Sequence, residues 1–89
     1  MYYADFLTDN HIWLANMKST NKRKLIREIS RRANQARNCG EHCEWWVVND
    51  NNECVAAGVT WSNGKRERFD GNRFILKTYD NQNFISYGK

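Results

Sequence analysis

The chain has 89 residues, with 14 Lys and Arg against 10 Asp and Glu, a net charge of +4 and a mean hydropathy of −0.89. That length predicts one domain with a thin core, burying only about 60–65% of its unfolded surface, and the twelve aromatics are expected to fill much of it. No apolar run is long enough to span a membrane, no signal-peptide core opens the chain and no Asn-x-Ser/Thr acceptor occurs, so a cytoplasmic protein is expected.

Residues 1–7 (MYYADFL) are apolar and aromatic, and read as a short strand or a helix lead-in. Thr8 suits an N-cap, with Leu7 and Ile12 placed as a hydrophobic staple. A first helix is therefore expected over Asp9 to Met17, with Trp13 and Met17 one turn apart. Ser19, Thr20 and Asn21 are all capping residues before a second helix, Lys22 to Asn38, which should stop at Gly40. Leu25, Ile26, Ile29, Ala33 and Ala36 form one apolar stripe at helical spacing, and Lys24, Arg27 and Arg31 lie opposite it.

After Gly40 the pattern changes to period two. Cys43 to Asn49 reads as a strand, and the polar run 49–52 (NDNN) reads as a turn. A second strand is expected over 53–61 and a third over 65–69, joined by Asn63-Gly64 in a type I′ turn. Asp70-Gly71 is another such pair, and strands over 73–79 and 83–87 should follow. The expected fold is therefore α+β, with two N-terminal helices packed on one face of a three- to five-stranded antiparallel meander. Trp45 and Trp46, adjacent in one strand, must point to opposite faces.

The charge is polarised. Eight of the 14 basic residues fall between Lys18 and Arg37, where Glu28 is the one acid, so this segment carries +7 and the remainder of the chain −3. Such an element suits a polyanion: nucleic acid, a nucleoprotein complex or an acidic protein surface. Lys22, Arg23 and Lys24 occupy the first helical turn, where the macrodipole disfavours cations by about 0.3–1 kcal/mol each. Placement so poor for stability points to a phosphate contact, which the ridge of Lys24, Arg27 and Arg31 would continue. Arg66 and Arg68 share one face of the third strand, and either extend that footprint or protect a sheet edge. Trp46, with Trp45 and Trp61, is a candidate stacking platform for bases, set against a plain core role.

Cys39, His42, Cys43 and Cys54 have the identities of a zinc set but not its spacing, since His42 and Cys43 are adjacent and no second CxxC or HxxxH exists. Three cysteines also make an odd set for a disulfide framework, which favours a reducing compartment. No metal or cofactor is expected. His11 and His42 lie in different elements, with no nucleophile or carboxylate placed for a catalytic role. A helix–helix–strand–strand order resembles the front half of acetyl-CoA-binding acyltransferases, but Gly58, Gly64 and Gly71 sit in or between hairpins, and no glycine-rich pyrophosphate loop precedes a helix.

A short, basic, Asn-rich chain without proline resembles in composition the small early proteins that bacteriophages use against host machinery. The expected function is accordingly a non-enzymatic inhibitor of a host nucleic-acid-processing or defence complex, acting through the basic helix. Lys22, Arg23, Lys24, Arg27 and Arg31 would make the charge contacts, with Arg66 and Arg68 in support. The alternative is direct binding of nucleic acid through its phosphate backbone.

Overall fold

The computed structural model describes residues 1–9 and 11–70. Strand β1 (Tyr2–Thr8) and strand β2 (His11–Ser19) lead into helix α1 (Lys22–Ala36), followed by strands β3 (Cys43–Val48), β4 (Cys54–Thr60) and β5 (Arg66–Asp70). The strands form one sheet in the order β2-β1-β3-β4-β5, and every neighbouring pair is antiparallel. This corrects the expectation of two helices on a meander: among the described residues there is one helix, on a mainly β framework. The strands expected over 73–79 and 83–87, and the turn at Asp70-Gly71, lie outside the described residues.

The segment expected to be the first helix is β2, paired with β1 from Tyr2–Ser19 to Thr8–His11. Two physical reasons favour the strand. A nine-residue helix is marginal by itself, and β1 pairs on both edges, with β2 on one side and β3 on the other. The alternation in β2 is also interrupted. Ala4 pairs with Met17 but Phe6 pairs with Trp13, so Asp5 stands against residues 14–16. Asn16 takes a positive φ of 54° and donates its backbone N–H to Asp5 Oδ1 at 3.3 Å. The bulge shifts the phase of β2 and hides the period-two signature of a strand.

Helix α1 starts where capping chemistry places it. Asn21 is the N-cap, and its side-chain oxygen accepts from the Lys24 N–H at 3.1 Å. Its end comes earlier than expected, with Arg37 extended at ψ 144° and its N–H bonded to the Ala33 carbonyl. Gly40 does take a positive φ, 85°, but beyond the helix. The stripe Leu25, Ile26, Ile29 and Ala33 is buried against Ala4, Phe6, Cys43, Trp45, Val47 and Ala56 of the sheet. A fully buried Leu or Ile contributes about 1.5–3 kcal/mol, which docks the helix firmly. On the other face Leu7, Trp46, Cys54 and Ala57 form a second buried cluster.

The two hairpins after the helix share one loop design. In each, the carbonyl of the residue just before the loop accepts from the residue three on: Asn52 N–H donates to Asn49 O at 3.0 Å, and Gly64 N–H to Trp61 O at 2.8 Å. That residue then takes a positive φ, 63° at Asn52 and 91° at Gly64. This is the three-residue hairpin loop. Asn63 has no positive φ, so the expected two-residue type I′ turn is replaced by the longer loop.

Candidate phosphate-binding cleft

The basic residues converge between helix and sheet. Arg23, Arg27 and Arg31 recur every four residues on α1, so they stack along one side of the helix. In β5, Arg66 pairs with Thr60 and Arg68 with Gly58. Those partners stand opposite Cys43 and Trp45 of β3, so alternation places both arginines on the helix-bearing face of the sheet. The result is a cleft of about 770 Å³ lined by all five arginines, with Ile26, Ser30, Asn34, Gln35 and Trp45. Its lining among the described residues contains no acid. Arg31 Nη1 donates to Gln35 Oε1 at 3.2 Å. Among the described residues no carboxylate pairs with Arg23, Arg27, Arg31 or Arg66.

The floor is built by a close approach. Trp45 pairs with Gly58 across the β3–β4 ladder, and its indole lies directly over that glycine. A Cβ at position 58 would stand 2.5 Å from Trp45 Cζ2 and Nε1, so only glycine fits beneath the ring. Beside the ring, Asn34 joins helix to sheet: Asn34 Nδ2 donates to the Ser30 carbonyl at 2.8 Å, and Thr60 Oγ1 donates to Asn34 Oδ1 at 2.7 Å. A smaller hollow of about 170 Å³ shares Ser30, Asn34, Trp45, Arg66 and Arg68 with the cleft and is also bordered by Thr60 and Glu67.

Of the residues singled out from sequence, Arg23, Arg27, Arg31, Arg66 and Arg68 are brought together. Lys24 is not among them; it borders a separate hollow with Asn21, Arg23, Arg27 and Glu28. Lys22 is exposed at the start of the helix, outside the cleft lining. Trp46 is buried in the cluster on the opposite face, away from the cleft. Trp45, its neighbour in β3, is instead the aromatic that borders the charge. Asn34 and Gln35 carried no sequence signal, because their role depends on which strand lies below the helix.

The sheet's other face carries a compact polar group. His42 is buried, its Nδ1 bonded to Asp9 Oδ1, and its backbone N–H donates to Asp9 Oδ2 at 3.3 Å. Glu44 is 1% exposed, with Oε2 3.7 Å from His42 Nε2. The Glu44 carboxylate is the main influence raising the His42 pKa; burial opposes it and Asp9 adds to it. The His42 ring stacks on Trp61, with centroids 6.4 Å apart and planes 19° apart, and Trp61 Nε1 donates to Glu67 Oε2 at 2.5 Å. Trp61 is thus engaged away from the cleft. The Asp9–His42–Glu44 contacts tie the β1–β2 turn to the start of β3.

The cysteines do not assemble. Cys39 is exposed, Cys43 is buried in the helix-side cluster and Cys54 in the opposite one. Among the described residues no group of three or more His, Cys, Asp and Glu is placed to hold a metal ion, and no helix there is long and apolar enough to cross a membrane. The chain matches no protein-family profile, no curated protein and no solved structure.

Proposed function

We propose that this is a non-enzymatic binding protein that holds nucleic-acid phosphates in its arginine cleft. By occupying nucleic acid in this way it would obstruct a host nucleic-acid-processing or defence complex. The observation that carries this reading is convergence: arginines from α1 and β5 meet in one concave site with no acid in its described lining. A basic helix face is an ordinary solvated surface, but arginines gathered from two separate elements into one concave site build a positive potential that attracts a polyanion. Guanidinium groups also match phosphate oxygens in bidentate geometry. Among the described residues the lining offers Ser, Asn, Gln and Arg but no His, Cys or carboxylate to act as a base, which supports binding without chemistry.

The test is fluorescence-anisotropy titration with DNA and RNA from about 50 to 300 mM salt. Neutralising several phosphates gives a linear fall of log affinity with log salt, by about 0.7–0.9 per phosphate. Arg27→Ala with Arg31→Ala should flatten that slope. Undetectable binding at the lowest salt overturns the reading. A second reading, an inhibitor docking directly on an acidic protein surface, would then lead. Lys22, Lys24 and Arg32 favour it, since they are exposed on the helix outside the cleft lining. Capture of a single host protein from bacterial lysate, abolished in a Lys22→Glu, Lys24→Glu variant, would support it.

A further inference from the structure

We infer that the cleft takes a single nucleic-acid strand by its backbone, in preference to a duplex and without regard to base sequence; this rests on the phosphate-binding reading above. The first argument is size. At about 770 Å³ the cleft falls in the range of small-ligand sites, about 300–1,000 Å³. A duplex, whose major groove alone is about 12 Å wide, can only lie across its mouth. A strand can enter and be reached from both sides.

The second argument is the pitch of the charges. Arg23, Arg27 and Arg31 are four residues apart on a helix, a rise of about 6 Å per step. Arg66 and Arg68 are two residues apart on a strand, about 6.6 Å. Both walls therefore repeat their charge at a similar interval, which suits a linear polyanion with regularly spaced groups better than one compact anion. A positive groove that tracks the backbone is one of the two devices of single-strand binding, base stacking being the other.

The third argument concerns the bases. Stacking needs an exposed aromatic face, and Trp45 is only 4% exposed, its ring laid on Gly58. Among the described residues the lining therefore offers no open stacking face, so the walls hold phosphates and the bases point outward.

The experiment compares labelled oligothymidylate with a duplex of equal strand length, by anisotropy at several salt concentrations. Single strand should bind at least about tenfold tighter than duplex at moderate salt, with a slope of about −2 to −3.5 for three to five phosphates. Oligoadenylate and ribo-oligomers should bind within a few-fold of oligothymidylate. Arg66→Ala, Arg68→Ala and Arg27→Ala, Arg31→Ala should each reduce the slope by about 1.4, the share of two phosphates no longer neutralised, with folding checked by circular dichroism. Lys24→Ala, outside the cleft lining, should change it less than either pair.

Duplex binding as tight as single-strand binding sinks the inference while leaving the phosphate reading intact. So does a β5 double variant that binds as the parent does, because the strand would then lie on the helix alone. Inorganic tripolyphosphate that displaces the strand at equal charge concentration also overturns it, by showing a site for compact anions. Absence of binding to every polymer removes the underlying reading as well.

Discussion

Thr60 Oγ1 donates to Asn34 Oδ1 at 2.7 Å, one side-chain bond tying α1 to β4 beneath the arginine cleft. Thr60 is also the ladder partner of Arg66, and Asn34 lies one turn after Arg31 and Ser30 on the cleft side of the helix. The bond therefore helps set the distance between the two charged walls. Thr60 is 2% exposed, so replacing it with Val leaves Asn34 without that donor in a half-buried place. We expect Thr60→Val to lower stability by about 1 kcal/mol in urea unfolding, and to weaken single-strand binding several-fold. Unchanged affinity with lowered stability would mean the wall separation does not depend on this bond.

Gly58 predicts a steric effect that propensity alone would not. An added methyl at 58 runs into the Trp45 indole, in a strand whose neighbours Ala57 and Val59 are buried. Gly58→Ala should cost about 1–3 kcal/mol as an overpacked site, whereas in an open strand the same change is near neutral or favourable. Pairing it with Trp45→Leu should recover part of the loss, read as a coupling energy in a double-mutant cycle.

The buried imidazole gives a pH dependence of known sign. Because the folded pKa of His42 is raised, chiefly by Glu44, protonated His42 stabilises the fold. That contribution is fully present below the unfolded value of about 6.5 and is lost as pH rises through the folded pKa. The thermal midpoint should therefore fall between about pH 6 and pH 8. Glu44→Gln removes the main cause and should shrink that fall. An equal fall in the variant would assign the dependence to other groups.

Thiol reactivity should separate the three cysteines. Burial raises the Cys54 pKa to about 11 and that of Cys43 as well, and the thiolate is the reactive form. Cys39 is exposed. A disulfide reagent at mildly alkaline pH should modify Cys39 rapidly in the native protein and the other two only on unfolding. Rapid native modification of Cys54 would contradict its burial.

The chain's local chemistry determined much of this protein. The amphipathic stripe of α1, the run of capping residues Ser19, Thr20 and Asn21 before it and the period-two runs of β3, β4 and β5 were legible because each depends on neighbours within a few residues; that Asn21 is the cap used came from the structure. So was the concentration of positive charge between Lys18 and Arg37. The strand identity of residues 11–19 was not, since a bulge at Asn16 breaks their alternation and the deciding force is β1's need for a partner on its outer edge. The helical wheel set Lys24 beside Arg27 and Arg31, opposite the core. The cleft uses Arg23 instead, because β5 lies toward that flank of the helix and brings Arg66 and Arg68 to it. His42 and Asp9 are 33 residues apart, a separation no local pattern spans. Sequence alone determined which groups are charged and which are apolar, because composition and period are local. Only the tertiary structure decided which charges share a wall, because that depends on strand order and on where one helix crosses the sheet.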